Sequence, residues 1–184
     1  MKPGVRVAGV AESFTDERST LAAAVVRADR VADGFAFSSC TVGGTDATDR
    51  VADLVESLGR EDLRAVMVAG IAPAWFNVVD LPAVAERTGL PAVSVSFEAS
   101  DGLEPALRRA FDGDALDDRL GIYRRQPERR QLAIDGETVW IRSAGLAPDA
   151  ADELVRAFTP EGGRPEPLRV ARLAARAADR FRAD

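Results

Sequence analysis

An α/β fold with a mixed five-stranded sheet is what the sequence predicts, and three observations carry it. Three strand-like runs joined by tight connections open the chain: Val5–Val10, Leu21–Arg27 and a run from Val31 to Ser38. From Thr45 to Phe111, helical and strand patterns alternate. Val66–Ala69 is apolar throughout, as befits a strand buried on both faces.

The first strand alternates around small residues and ends at Ala11-Glu12-Ser13. The second and third follow with so little intervening chain that an antiparallel meander is expected. Asp33-Gly34 interrupts the third run and predicts a bulge before Phe35–Ser38. A Gly-containing loop, Thr41–Thr48, leads into a helix in which Val51, Leu54, Val55 and Leu58 recur at helical spacing. Thr45 or Asp46 is the expected N-cap, and Gly59 the stop.

The central strand, Leu63–Val68, comes next. Beyond it Gly70-Ile71-Ala72-Pro73 breaks the pattern and carries Trp75, Phe76, Asn77 and Asp80. Val79 or Asp80 opens a helix that stops at Thr88-Gly89, and Leu90–Phe97 reads as another strand. Helices follow around Leu103–Phe111 and Ala115–Arg125. Asp135-Gly136 between Gln131–Ile134 and Thr138–Ile141 predicts a hairpin with a type I′ turn. Pro148–Phe158 and Pro167–Phe181 are the last helices. The hairpin and these two helices read as an appendage packed on a single domain spanning residues 1–184.

Composition excludes several chemistries. The chain has no histidine and one cysteine, Cys40, so Ser-His-Asp catalysis, His-ligated zinc and an internal disulfide all fall away. A metal here would be a hard cation on oxygen ligands, Mg²⁺ or Mn²⁺. Ser38-Ser39-Cys40 has hydroxyls and a thiol but no partner base. No run reaches the roughly 18 apolar residues of a membrane span, and no signal-peptide pattern opens the chain; the expected location is the cytoplasm. Net charge is −6, with Lys2 the only lysine. Abundant Asp, Ala, Val and Arg suggest a salt-adapted protein. An acidic total counts against nucleic-acid binding, though less so against a generally acidic background.

The order β-β-β-α-β-α-β-α matches the ribonuclease H-like topology, in which carboxylates at neighbouring strand ends hold divalent metal. Candidate acids are Glu12, Asp46, Asp49, Asp80 and Glu98. Asp46, Asp49 and Asp80 also suit helix starts, and Glu12 sits at a strand end. Trp75-Phe76 reads equally as a lid over the core or as a surface that touches a ligand. Gly43-Gly44 is a weak signal for phosphate. Arg169, Arg172 and Arg176 share a helical face that suits phosphates or ordinary solvent.

Five segments carry a family resemblance: Arg6–Phe14, Thr41–Thr48, Gly70-Ile71 with Phe76–Asp80, Thr88–Pro91 and Pro165–Ala171. Together they resemble the DUF99 (UPF0215) family, also called endonuclease dU, which is similar to endonuclease V. The resemblance implies a DNA-repair type of function. Its activity would be Mg²⁺- or Mn²⁺-dependent cleavage of DNA at deaminated bases, uracil or inosine. By that resemblance Glu12, Asp46 and Asp80 are the catalytic and metal-holding candidates. Phe14, Trp75, Phe76 and Asn77 would face the base or strand. The chain departs from the family pattern where it carries Ala11, Gly43 and Ala69, since acids are expected there. The alternative is a catalytically degenerate nucleic-acid-binding or regulatory domain of the same fold.

Overall fold

The computed structural model describes residues 1–15, 18–100 and 102–183. Seven strands form one sheet in the order β3-β2-β1-β4-β5-β7-β6. β1 (Arg6–Thr15), β2 (Arg18–Arg27) and β3 (Ala32–Thr41) make the predicted antiparallel meander. β4 (Leu63–Ala69) lies parallel beside β1, and β5 (Ala92–Ser96) parallel beside β4. The bulge falls at Asp33: Val25 pairs with Gly34 and Val26 with Ala32, leaving Asp33 unopposed.

The sheet is larger than the five strands expected, because the hairpin is not an appendage. β7 (Glu137–Ala144) pairs antiparallel with β5, and β6 (Arg130–Ile134) closes that edge. Asp135 and Gly136 both have positive φ, as a type I′ turn requires.

Alternation along the strands sends apolar side chains to two faces. Ala8, Val10, Val66 and Val68 pack under α1 (Ala47–Ser57) and α3 (Leu81–Thr88). Val7, Ala65, Met67, Val93 and Val95 meet α6 (Pro148–Ala157) and the start of α7 (Glu166–Ala183). Between them, α2 (Pro73–Phe76) follows β4, while α4 (Glu104–Ala110) and α5 (Gly113–Arg124) join β5 to the hairpin.

α7 runs along β1 in the same direction. Pro167 lies on Gly9, Ala171 clusters with Ala11, and Asp179 accepts a 3.0 Å bond from Ser13. A Cβ on Gly9 would sit 2.2 Å from the Pro167 carbonyl, so only glycine lets the helix approach this closely. The helix is thereby aimed past the carboxyl end of β1.

Candidate functional site

The carboxyl ends of β1, β4 and β5 open into a cleft of about 600 Å³. Open α/β sheets place ligands at this edge. Its floor is the chain around Ala11–Phe14, Ala69–Pro73 and Ser94–Glu98. Five arginines reach it from three directions. Arg129 comes from the connection just before β6 and Arg142 from β7, Arg164 from the loop before α7, and Arg172 and Arg176 from successive turns of α7. The described carboxylates that line it are Glu12 and Glu98.

Among the described residues, none of these five arginines forms an ion pair, although ion pairs engage arginines over much of the remaining surface. Aromatic faces hold three of them in place: Arg164 lies 4.1 Å over Phe97, Arg129 5.1 Å over Trp140 and Arg142 5.5 Å over Tyr123. Arg129 also donates to the carbonyls of Ser100 (2.8 Å) and Glu98 (2.6 Å). Burial lowers the pKa of Arg164, and the charges of Arg172 and Arg176 lower it further. Arg129 is lowered by burial and then by Arg142. Arginine stays charged through such shifts, so the cleft is a cluster of like charges.

Ala11 in β1 and Ala69 at the end of β4 stand side by side, one step beyond the Val10–Val68 pair that closes their parallel pairing. Both reach the small cluster that includes Ala171, next to Arg172. Gly43 has φ +66°, and a Cβ there would lie 2.7 Å from the Trp75 ring. The indole fills the space that an acid at this position would need. A hard divalent cation requires several oxygen ligands, and Ala11 and Ala69 offer none from their side chains. No group of three or more Asp, Glu, Cys or His able to hold a metal occurs among the described residues. Among the described residues, those at the strand ends do not fit a bound Mg²⁺ or Mn²⁺.

The three acids singled out from sequence serve separate places. Glu12 lines the cleft, and its Oε2 accepts from Ser19 Oγ (2.6 Å) and from the Ala74 amide (2.8 Å). It thereby braces α2. Asp46 accepts from the Thr41 amide (3.1 Å) and from Asn77 Nδ2 (2.7 Å), with Arg50 at 3.4 Å. Burial raises its pKa, but the bonds from Asn77, Thr41 and Arg50 outweigh that and the net shift is downward. Asp80 is buried, caps α3 through the Ala83 amide (3.3 Å), and pairs with Arg125 Nε at 2.6 Å.

Phe14 is half exposed on the cleft rim, and Trp75 is 53% exposed on α2. Ala74, Trp75 and Phe76 all have positive φ, so α2 is a left-handed turn built without glycine. Each such residue costs on the order of 1–2 kcal/mol, which the surroundings must offset. They do so by packing Trp75 and Phe76 against Phe111, with centroids 5.2 and 6.1 Å away. Arg119 donates to the carbonyls of Gly43, Gly44 (3.0 Å) and Phe76 (3.2 Å) while lying 3.9 Å over the Phe111 ring. Phe76 thus packs inward beside Leu107 and Leu120.

Asn77 is fully buried. Its Oδ1 accepts from the Ala47 amide at the start of α1 (2.9 Å), and its Nδ2 donates to Thr41 O (2.8 Å) and Asp46. All its hydrogen-bonding capacity toward the interior ties the Trp75 turn to α1. Cys40 is buried, which pushes its thiol up to about 11 and leaves it unreactive.

Sequence reasoning missed Arg119, Arg129, Arg142 and Arg164. The spacing of Arg172 and Arg176 by four residues was the one local signal, and Arg169 departs from it by pairing with Glu166 at 2.7 Å.

This strand order, with helices on both faces, is a ribonuclease H-like fold, shared with endonuclease V structures. Human ENDOV matches it with a TM-score of 0.66 at 16% identity, covering 98% of this chain and 86% of that one. A Ciona intestinalis endonuclease V, solved with DNA containing an inosine, matches with a TM-score of 0.66 at 9% identity, covering 96% and 86%. The chain belongs to the Endonuclease dU family, whose profile matches residues 3–179. A UPF0215 protein of Thermococcus gammatolerans is 36% identical over 96% of this chain and 93% of the relative. A crystal structure of a protein of unknown function from Archaeoglobus fulgidus superposes with a TM-score of 0.83 at 29% identity, covering 95% and 98%.

Proposed function

We propose that the chain binds a nucleic-acid strand in the cleft at the ends of β1, β4 and β5, as a degenerate member of its family that does not use the metal-dependent hydrolysis expected of it. The observation that carries this reading is the exchange of charge at the strand ends. Alanines stand where carboxylates are expected, and arginines without described carboxylate partners line the same cleft. Guanidinium forks match phosphate oxygens bidentately. Phe14 and Trp75 offer exposed aromatic faces for bases. The acidic total of the chain does not oppose this, because the positive charge is local to one cleft. Related endonuclease V structures hold DNA, which supports a nucleic-acid ligand.

The competing reading, Mg²⁺- or Mn²⁺-dependent cleavage at uracil or inosine in damaged DNA, draws on Glu12 and Glu98 in the cleft. Two assays separate the readings. Fluorescence anisotropy with labelled single strands should show binding that Phe14→Ala weakens by about 1–3 kcal/mol. Uracil- and inosine-containing strands incubated with either metal should remain intact. A strand that fails to bind rejects the proposal, and a metal-dependent nick establishes the competitor.

A further inference from the structure

α7 starts at Gly9 of β1 and runs beside that strand, so its small residues face the sheet. Ala171 meets Ala11, and the next residue, Arg172, stands over the cleft with Arg176 one turn on. Arg164 approaches from the preceding loop, its plane fixed on Phe97. Three guanidiniums therefore gather in the cleft where Ala11 of β1 and Ala69 of β4 offer only methyl groups. In a chain with 30 acidic residues against 24 basic ones, such a cluster without a described carboxylate partner is conspicuous. Neighbouring residues show the contrast: Arg169 on the same helix is paired with Glu166.

Like charges at this spacing repel, and Arg164 is partly removed from water. An anion entering the cluster relieves the repulsion and finds fork-shaped donors already oriented by Phe97 and by the helix. In metal-dependent nucleases the cation beside the strand ends carries the positive charge that meets the phosphate. Here positive charge comes down from α7 to the same strand ends.

We infer that Arg164, Arg172 and Arg176 hold a phosphoryl group directly, in the electrostatic role that a divalent cation has in metal-dependent nucleases. This rests on the cleft being the nucleic-acid site, and it adds that binding needs no metal. The phosphoryl group belongs either to the backbone of a strand or to its phosphorylated end, and the two sources share the same chemistry.

The test uses the full chain in excess EDTA with two probes, inorganic pyrophosphate and a labelled single strand. Pyrophosphate should raise the melting temperature of the wild type and of Arg64→Gln/Arg109→Gln, which removes two exposed arginines outside the cleft. It should not stabilise Arg172→Gln/Arg176→Gln. Strand affinity should fall on the order of tenfold or more in that variant. The slope of log affinity against log salt should shrink by about 1.4, from roughly 0.7 per lost phosphate contact on a single strand.

Pyrophosphate stabilisation through the arginines without any strand binding supports the triad and rejects the nucleic-acid reading. Strand binding and pyrophosphate stabilisation that both ignore the double substitution overturn the triad and leave that reading standing. Preference for a 5′-phosphorylated strand over its 5′-hydroxyl twin assigns the terminal phosphate; equal affinity assigns the backbone. Should the double variant lose its native circular dichroism, Arg176→Gln alone, at an exposed position, carries the same readouts, and wild-type behaviour there overturns the inference.

Discussion

Replacing Asn77 separates a structural clamp from a ligand contact. Asn77→Ala removes one bond to a charged carboxylate and two to backbone groups, all in a fully buried position. A bond to a charged group contributes about 1.5–3 kcal/mol and a neutral one about 0.5–1.5, so the loss should reach roughly 3–5 kcal/mol. For a chain of this size that lowers the melting temperature by about 6–20 °C. Asn77→Asp gives a sharper form of the test. It keeps the acceptor for the Ala47 amide but sets a carboxylate against Asp46, at the place of a 2.7 Å bond. One shared proton would restore a donor between the two carboxylates. The deficit of Asn77→Asp relative to wild type should therefore shrink as the pH falls toward 4. Thermal unfolding followed by circular dichroism across pH measures both effects. An Asn77→Ala protein that melts within about 2 °C of wild type while losing strand binding would refute the clamp.

Three further outcomes follow from the same geometry. Trp75→Ala, at a half-exposed ring, should cost about half the 3–5 kcal/mol of a buried aromatic and also weaken strand binding by about 1–3 kcal/mol; lowered melting with unchanged binding rejects the contact role. Ala11→Asp/Ala69→Asp sets two carboxylates on neighbouring strands about 5 Å apart, a repulsion of about 3 kcal/mol at an effective dielectric of 20. Melting without metal should fall and saturating Mg²⁺ should restore about 3 kcal/mol of it, whereas indifference to both Mg²⁺ and Mn²⁺ shows that these alanines do not mark a vacated ligand pair. Asp46 has a folded pKa below its ordinary 3.8, so its contribution is present above that value and lost as the pH falls through the lower one. An acid titration of stability should show this loss below about pH 4 in the wild type and a smaller one in Asn77→Ala, which lacks the bond.

Much of the fold was legible because its signals are local. Tight connections gave the meander, Asp33-Gly34 gave the bulge, and Asp80 before Leu81-Pro82 gave the cap of α3. The place of the hairpin was not legible, since Ser96 pairs with Trp140 across 44 residues and no local pattern encodes that register. The left-handed turn at Ala74–Phe76 was hidden for a different reason. Positive φ is normally signalled by glycine, and here Glu12, Arg119 and Phe111 enforce it from elsewhere in the chain. The candidate site was read as carboxylates because the ribonuclease H-like strand order, and then the family resemblance, direct attention to acids. Its arginines come from the hairpin and the connection just before it, a loop and a helix, so only Arg172 and Arg176 share a local spacing.

Strand affinity of the wild-type protein, measured by fluorescence anisotropy in excess EDTA and again in saturating Mg²⁺, tests the central claim most directly. Arginine-held phosphate predicts equal affinity in the two conditions, apart from the small weakening that added salt brings. Binding that appears only with Mg²⁺ would contradict it.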